Sequence, residues 1–172
     1  MNIRSAEPAD AGRLLEIYAY YVEHTAVTFE YDTPTKEEFE ERITHTLEKY
    51  PFLVIEDGGE AVGYAYAGVF KDRAAYARSA EVSIYLDHGK RRRGYGSALY
   101  LALEEKLTEQ GIKNVYACIA SPPVEDEYLS RDSERFHGAL GFVKCGEFHK
   151  CGYKFGRWYD MIWMEKLIGP HD

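Results

Sequence analysis

Apolar and polar positions repeat along this chain with two periods, and the switch between them marks out the elements. From 80 to 86 the residues alternate. Ala80, Val82, Ile84 and Leu86 fall on one face and Glu81, Ser83 and Tyr85 on the other, the period-two signature of a half-buried strand. From Tyr95 the period changes. Leu99, Ala102, Leu103 and Leu107 recur at three-to-four spacing, an apolar helical stripe that has to pack on a sheet, and Gly111 stops the helix. Residues 113–120 alternate again. A strand after a strand and a helix lies parallel to the first through a right-handed crossover, so the centre of the chain reads as strand, helix, strand.

The same two periods organise the flanks. Residues 2–4 form a short strand, and residues 8–24 an amphipathic helix carrying Leu14, Leu15, Ile17, Tyr18 and Tyr21. Thr35 with Glu38 makes a capping box for a second helix, whose Phe39, Ile43 and Leu47 repeat every four residues until Pro51 ends it. Residues 52–56 and 61–70 are strands joined by the hairpin turn Asp57-Gly58-Gly59-Glu60. Residues 121–130, with two prolines and Glu125-Asp126-Glu127, form a loop, and residues 131–140 a short helix stopped by Gly141. Residues 142–148 and 157–165 close the chain as two strands, connected by the glycine- and aromatic-rich segment 149–156. There is no internal repeat, and 172 residues make one domain, 1–172, with a sizeable core.

Composition narrows the class. With 45% apolar and 15% aromatic residues the chain folds, and a formal charge of −8 argues against nucleic acid as a partner, since that binding neutralises phosphates broadly. An acidic surface suits an amine-bearing small molecule instead. Cys118, Cys145 and Cys151 are odd in number and lack metal-ligand spacing, so they read as core or incidental thiols of a reducing compartment, with no metal expected. The first ten residues carry no apolar signal region, and no run approaches the roughly 18 apolar residues of a membrane span. The expected location is the cytoplasm, away from membranes.

Against that acidic background one segment stands out. Lys90-Arg91-Arg92-Arg93-Gly94-Tyr95-Gly96-Ser97 joins the central strand to its helix. Two glycines let the backbone approach a ligand, and the first helical turn offers unpaired N–H groups at the positive end of the dipole, so the segment is an anion cradle. No Gly-Lys-Ser/Thr follows and no third glycine completes a dinucleotide fingerprint.

Arg91-x-x-Gly94-x-Gly96, after a strand and opening a helix, resembles the acyl-CoA pyrophosphate loop of the GNAT superfamily of N-acetyltransferases. The element order β, α, α, β, β, β, α, β, α, β, β is similar to that superfamily too. Within it, the strings Ala80-Glu-Val-Ser-Ile-Tyr85, Ser133-Glu-Arg-Phe-His137 with Ala-Leu-Gly-Phe142, and Gly152-Tyr-Lys-Phe-Gly-Arg-Trp-Tyr-Asp160 resemble the phosphinothricin and methionine-sulfone acetyltransferases.

The resemblance implies an α/β fold, a central mixed sheet of about six or seven strands flanked by about four helices. It implies acetyl-CoA as co-substrate, its pantetheine arm along Ile84, Tyr85 and Leu86 and its pyrophosphate on Arg91, Arg92, Arg93, Gly94, Tyr95, Gly96 and Ser97. Ser130 stands where many relatives place a pantetheine-contacting asparagine, and Phe136 where they often place a tyrosine acid. Glu81 matches the family's proton acceptor, backbone N–H at or beside Leu86 would polarise the carbonyl, and His137 matches a histidine that assists proton transfer. Phe29, Lys154 and Trp158 are the implied acceptor pocket. The implied reaction is direct transfer to the α-amine of a small amino acid or analogue within a ternary complex, by a homodimer. A different acceptor, such as a polyamine, an aminoglycoside or a protein N-terminus, and a silent acyl-CoA-binding module are the alternatives.

Overall fold

The computed structural model describes residues 1–172. Its strands are β1 (Asn2–Ser5), β2 (Phe52–Asp57), β3 (Glu60–Val69), β4 (Ser79–Leu86), β5 (Asn114–Ser121), β6 (Val143–Lys154) and β7 (Arg157–Leu167). Its helices are α1 (Ala11–His24), α2 (Lys36–Leu47), α3 (Tyr95–Glu109) and α4 (Asp132–Ala139). The strands make one mixed sheet in the order β1-β2-β3-β4-β5-β7-β6, in which only the β4–β5 pair is parallel. This is the element order and the architecture expected from the sequence.

Local chemistry explains the boundaries. In the β2–β3 turn Gly58 and Gly59 both take positive φ (61° and 81°), the combination a tight two-residue hairpin requires. Thr35 Oγ1 accepts the Glu38 N–H at 3.1 Å and the Glu38 carboxylate accepts the Thr35 N–H at 2.8 Å, closing the box that starts α2.

Helices cover both faces of the sheet. α1 and α2 bury Tyr18, Tyr21, Phe39 and Ile43 against β2 and β3, forming one core. On the opposite face α3 sets Leu99, Leu103 and Leu107, all fully buried, against β2, β3 and β4, each contributing about 1.5–3 kcal/mol. β4 is half-buried as its alternation predicts, and it touches both cores. Ala80 and Val82 enter the α3 side, while the Tyr85 ring packs edge-on against Tyr18 and Tyr21, at 5.0 and 5.4 Å.

Two expectations are corrected. Residues 149–154 are not part of a connection but of β6, which runs through a bulge between Phe148 and Gly152 and turns tightly at Phe155-Gly156 into β7. Glycine- and aromatic-rich composition marked the bulge and the turn, not a loop. The three cysteines are exposed, which removes the core half of their reading and leaves the incidental one. Alternation on β5 turns Val115, Ala117 and Ile119 inward and Cys118 outward, and Cys145 and Cys151 stand on the uncovered edge strand. No helix is long and apolar enough to cross a membrane.

Candidate active site

The sheet comes apart at its centre. β4 and β5 pair only at Ser79↔Asn114, Ala80↔Val115 and Glu81↔Tyr116. Beyond Glu81 the strands part, although β4 stays on β3 as far as Leu86 and β5 stays on β7 as far as Ser121. A cavity of about 500 Å³ occupies the fork, walled by Val82 to Leu86 on one side and Ala117 to Ala120 on the other, and roofed by α4 through Phe136 and His137. Strands that part without a partner expose backbone N–H and C=O groups to whatever enters, so the fork is built for an extended chain that completes the ladder.

At the mouth lies the basic turn. Gly94 caps α3 in the left-handed conformation, φ 79°, with no side-chain acceptor for the first turn, which leaves its amides open to an anion. Arg91 and Arg92 line the cavity, and Arg91 lies over the Tyr21 ring. Lys90 does not join them, because it pairs with Glu60. Arg13 also meets Glu60, at 3.1 Å, and Asp87 at 2.6 Å, so α1 and the β2–β3 hairpin hold the root of the turn. The Tyr95 hydroxyl donates to Asp57, turning that side chain from the cavity toward the hairpin, while Arg93 and Ser97 are exposed. Gly96 has a packing reason as well: a Cβ there would stand 2.8 Å from the Phe136 ring.

Ile84, Tyr85, Leu86 and Ser130 all line the cavity, and the Ser130 hydroxyl also accepts the Asp132 N–H at the start of α4. Glu81 sits in the last paired rung, at the base of the fork, on the strand face shared with Tyr85. Burial pushes its carboxyl above the ordinary glutamate range, and the charge of Lys71 offsets this only in part. The Lys71 ammonium lies 5.3 Å over Phe70 and 5.8 Å over Trp163, and Phe70 stacks on Tyr116, so aromatic rings border this side.

His137 is 3% exposed. Its Nδ1 faces the Ser133 carbonyl at 2.7 Å and its Nε2 the Tyr100 hydroxyl at 2.8 Å, and burial holds its pKa below the usual imidazole value. Both ring nitrogens are therefore engaged, with Nδ1–H donating to Ser133 and Nε2 accepting from Tyr100.

Phe29, Lys154 and Trp158 do not line the cavity. Lys154 is 4% exposed and donates to the Thr28 carbonyl at 2.9 Å, tying the α1–α2 connection to the hairpin, and the Phe29 ring covers Gly152 beside it. Trp158 is 56% exposed against Tyr153. Tyr21, Tyr100 and Cys118 line the cavity and escaped the sequence reading, since each stands in a pattern that equally describes core or surface.

Residues 3–163 match the family described as "Acetyltransferase (GNAT) domain". The chain belongs to this family. The GNAT protein is 35% identical over 99% of its length, and 90% of the relative's, to the phosphinothricin N-acetyltransferase of Streptomyces viridochromogenes. It is 30% identical to the L-methionine sulfoximine/L-methionine sulfone acetyltransferase of Salmonella typhimurium, over 99% and 96% of the two chains. The crystal structure of a GNAT superfamily phosphinothricin acetyltransferase from Sinorhizobium meliloti in complex with acetyl-CoA superposes with a TM-score of 0.88 at 33% identity, covering 98% and 88% of the two chains. The protein is thus an N-acetyltransferase that uses acetyl-CoA. The fork and the uncapped α3 amides fit a co-substrate that joins an extended arm to a diphosphate.

Proposed function

We propose that this GNAT protein transfers the acetyl group of acetyl-CoA to the α-amine of a small amino acid or analogue, of the phosphinothricin or methionine-sulfone kind, by direct attack in a ternary complex. The fork just beyond Glu81 carries this reading, because it leaves strand backbone unpaired on one side of a carboxyl whose affinity for protons is raised. In it, Ile84, Tyr85 and Leu86 offer their backbone to the pantetheine arm, and Arg91, Arg92 and the amides of residues 95–97 hold the pyrophosphate. Arg93, Gly94 and Ser130 complete that end of the site.

Glu81 takes the proton from the incoming amine, a role favoured by the raised proton affinity that burial gives its carboxyl. Backbone N–H beside Leu86 polarises the acetyl carbonyl. Lys71, the cation acting on Glu81, meets the carboxylate of the acceptor. With Phe136 in place of a tyrosine and both nitrogens of His137 engaged, the thiolate leaves without a side-chain acid, and His137 fixes Tyr100 and α4. Phe29 and Lys154 shape the acceptor side through the loop they anchor. Exposed Phe148, Tyr153 and Trp158 along the β6–β7 hairpin support assembly as a homodimer.

The test is thiol release from acetyl-CoA across a panel of amines. Phosphinothricin, methionine sulfone and methionine sulfoximine are expected to exceed polyamines, aminoglycosides and a peptide N-terminus by at least tenfold in kcat/KM, about 1.4 kcal/mol in the transition state. The reverse order would reassign the acceptor. Tight acetyl-CoA binding with no turnover on any amine would make the domain a silent binding module.

A further inference from the structure

At the bulge between Phe148 and Gly152 two carboxylates and an imidazole meet: Glu147 and His149 of β6 and Asp160 of β7. One donor atom of each lies within 4.8 Å of the other two. His149 Nδ1 is 3.5 Å from Asp160 Oδ2 and 4.0 Å from Glu147 Oε1. Both gaps are too long for a good hydrogen bond. They are the spacings of atoms that share one ion, since donors about 2.1 Å from a metal stand roughly 3–4 Å from one another.

Each carboxylate has its other oxygen occupied. The Lys150 N–H donates to Asp160 Oδ1 at 2.7 Å, and Lys144 donates to Glu147 Oε2 at 3.4 Å. Asp160 is only 7% exposed, yet its Oδ2 receives no hydrogen bond from the chain and points at the imidazole. Every buried side-chain oxygen has a partner, so Oδ2 lies open to solvent, and a cation at the centre of the three would reach it from that side. Fixed outer partners of this kind are also what orient metal ligands.

We propose that Glu147, His149 and Asp160 bind a divalent transition-metal cation, with zinc the best match to one imidazole and two carboxylates. The set carries two negative charges with a neutral imidazole, and leaves the remaining coordination positions to water. None of the three lines the cavity, so the ion staples β6 to β7 and takes no part in acetyl transfer. The sequence hid the site because its ligands come from two strands, with a bulge setting their relation.

The experiment is thermal unfolding of the EDTA-treated full chain at pH 7 with added zinc chloride. At zinc about a hundred times Kd, the wild-type Tm is expected to rise by about 5–10 °C. His149→Ala and Glu147→Gln are expected to lose the rise. His149 is 72% exposed, so its loss leaves the fold intact. Cobalt(II) is expected to give a visible absorption band with the wild type and not with His149→Ala. Absence of any shift overturns the proposal, as does an equal shift in His149→Ala, which would point to zinc on the exposed cysteines. Metal-independent stabilisation that grows as pH falls through the imidazole range would make the cluster an ion pair and overturn it too.

Discussion

Gly96 and Phe136 touch: a Cβ on Gly96 would lie 2.8 Å from Phe136 Cζ and 2.9 Å from Cε2, joining the first turn of α3 to α4 through a missing side chain. Gly96→Ala gains at most about 1 kcal/mol of helix propensity and incurs about 1–3 kcal/mol of overpacking, so the net effect is a lower Tm. Because Phe136 lines the cavity, its displacement raises KM for acetyl-CoA as well. The check is a double-mutant cycle with Phe136→Ala, which removes the clash, so the two substitutions should couple by at least about 0.5 kcal/mol. Strict additivity would mean that the contact is unimportant.

Glu81 and Lys71 set the pH dependence. Burial raises the Glu81 pKa and the charge of Lys71 opposes that rise. In the proposed role of base, Glu81 would give kcat/KM a limb that rises with pH. Glu81→Gln is expected to flatten that limb and reduce kcat/KM by about 10²–10⁴. Lys71→Ala removes the lowering influence and should move the limb to higher pH. A limb that stays in place in both variants would remove Glu81 from the chemistry.

Much of this could be read in the residues. The capping box, the Gly58-Gly59 turn and the period change at Tyr95 each commit the backbone locally, and the structure has all three. The fork could not be read. Nothing in the alternation of residues 80–86 or 113–120 distinguishes strands that remain paired from strands that part, because separation is a property of the pair. The same limit applies to His137, whose helical position is plain while its two hydrogen bonds depend on α3 and on its own preceding turn. Lys154 shows the converse: a lysine in a hairpin reads as surface or pocket, yet the Thr28 carbonyl, 126 residues away, holds it inside.

The cap of α2 is a local device and yields a local prediction. Thr35→Ala removes the acceptor of the Glu38 N–H and leaves half of the reciprocal pair. The expected cost is about 1 kcal/mol, read as a Tm lower by about 2–4 °C, with kcat/KM unchanged because α2 contributes nothing to the cavity. A loss of activity beyond the loss of folded protein would mean that α2 supports the acceptor loop.

Of the acidic loop at 125–127, Asp126 alone turns inward, while Glu125 and Glu127 stay exposed. Burial alone would raise the Asp126 carboxyl. The Tyr159 hydroxyl at 2.7 Å, the Tyr128 and Leu129 amides at 2.8 and 2.9 Å, and Arg157 at 3.1 Å outweigh burial and hold it below the usual aspartate range. A carboxyl depressed on folding stabilises the native state fully above its unfolded pKa, about 3.9, and loses that contribution as pH falls through the folded value. Asp126→Asn should therefore be less stable than wild type by about 1–3 kcal/mol at pH 7, with the gap closing below about pH 4. Leu129, whose N–H Asp126 accepts, and the adjoining Ser130 line the cavity, so KM for acetyl-CoA should rise in the same variant. Denaturant unfolding at pH 7 and at pH 3 decides the matter, since a gap of constant size would assign the effect to lost packing and not to the charge.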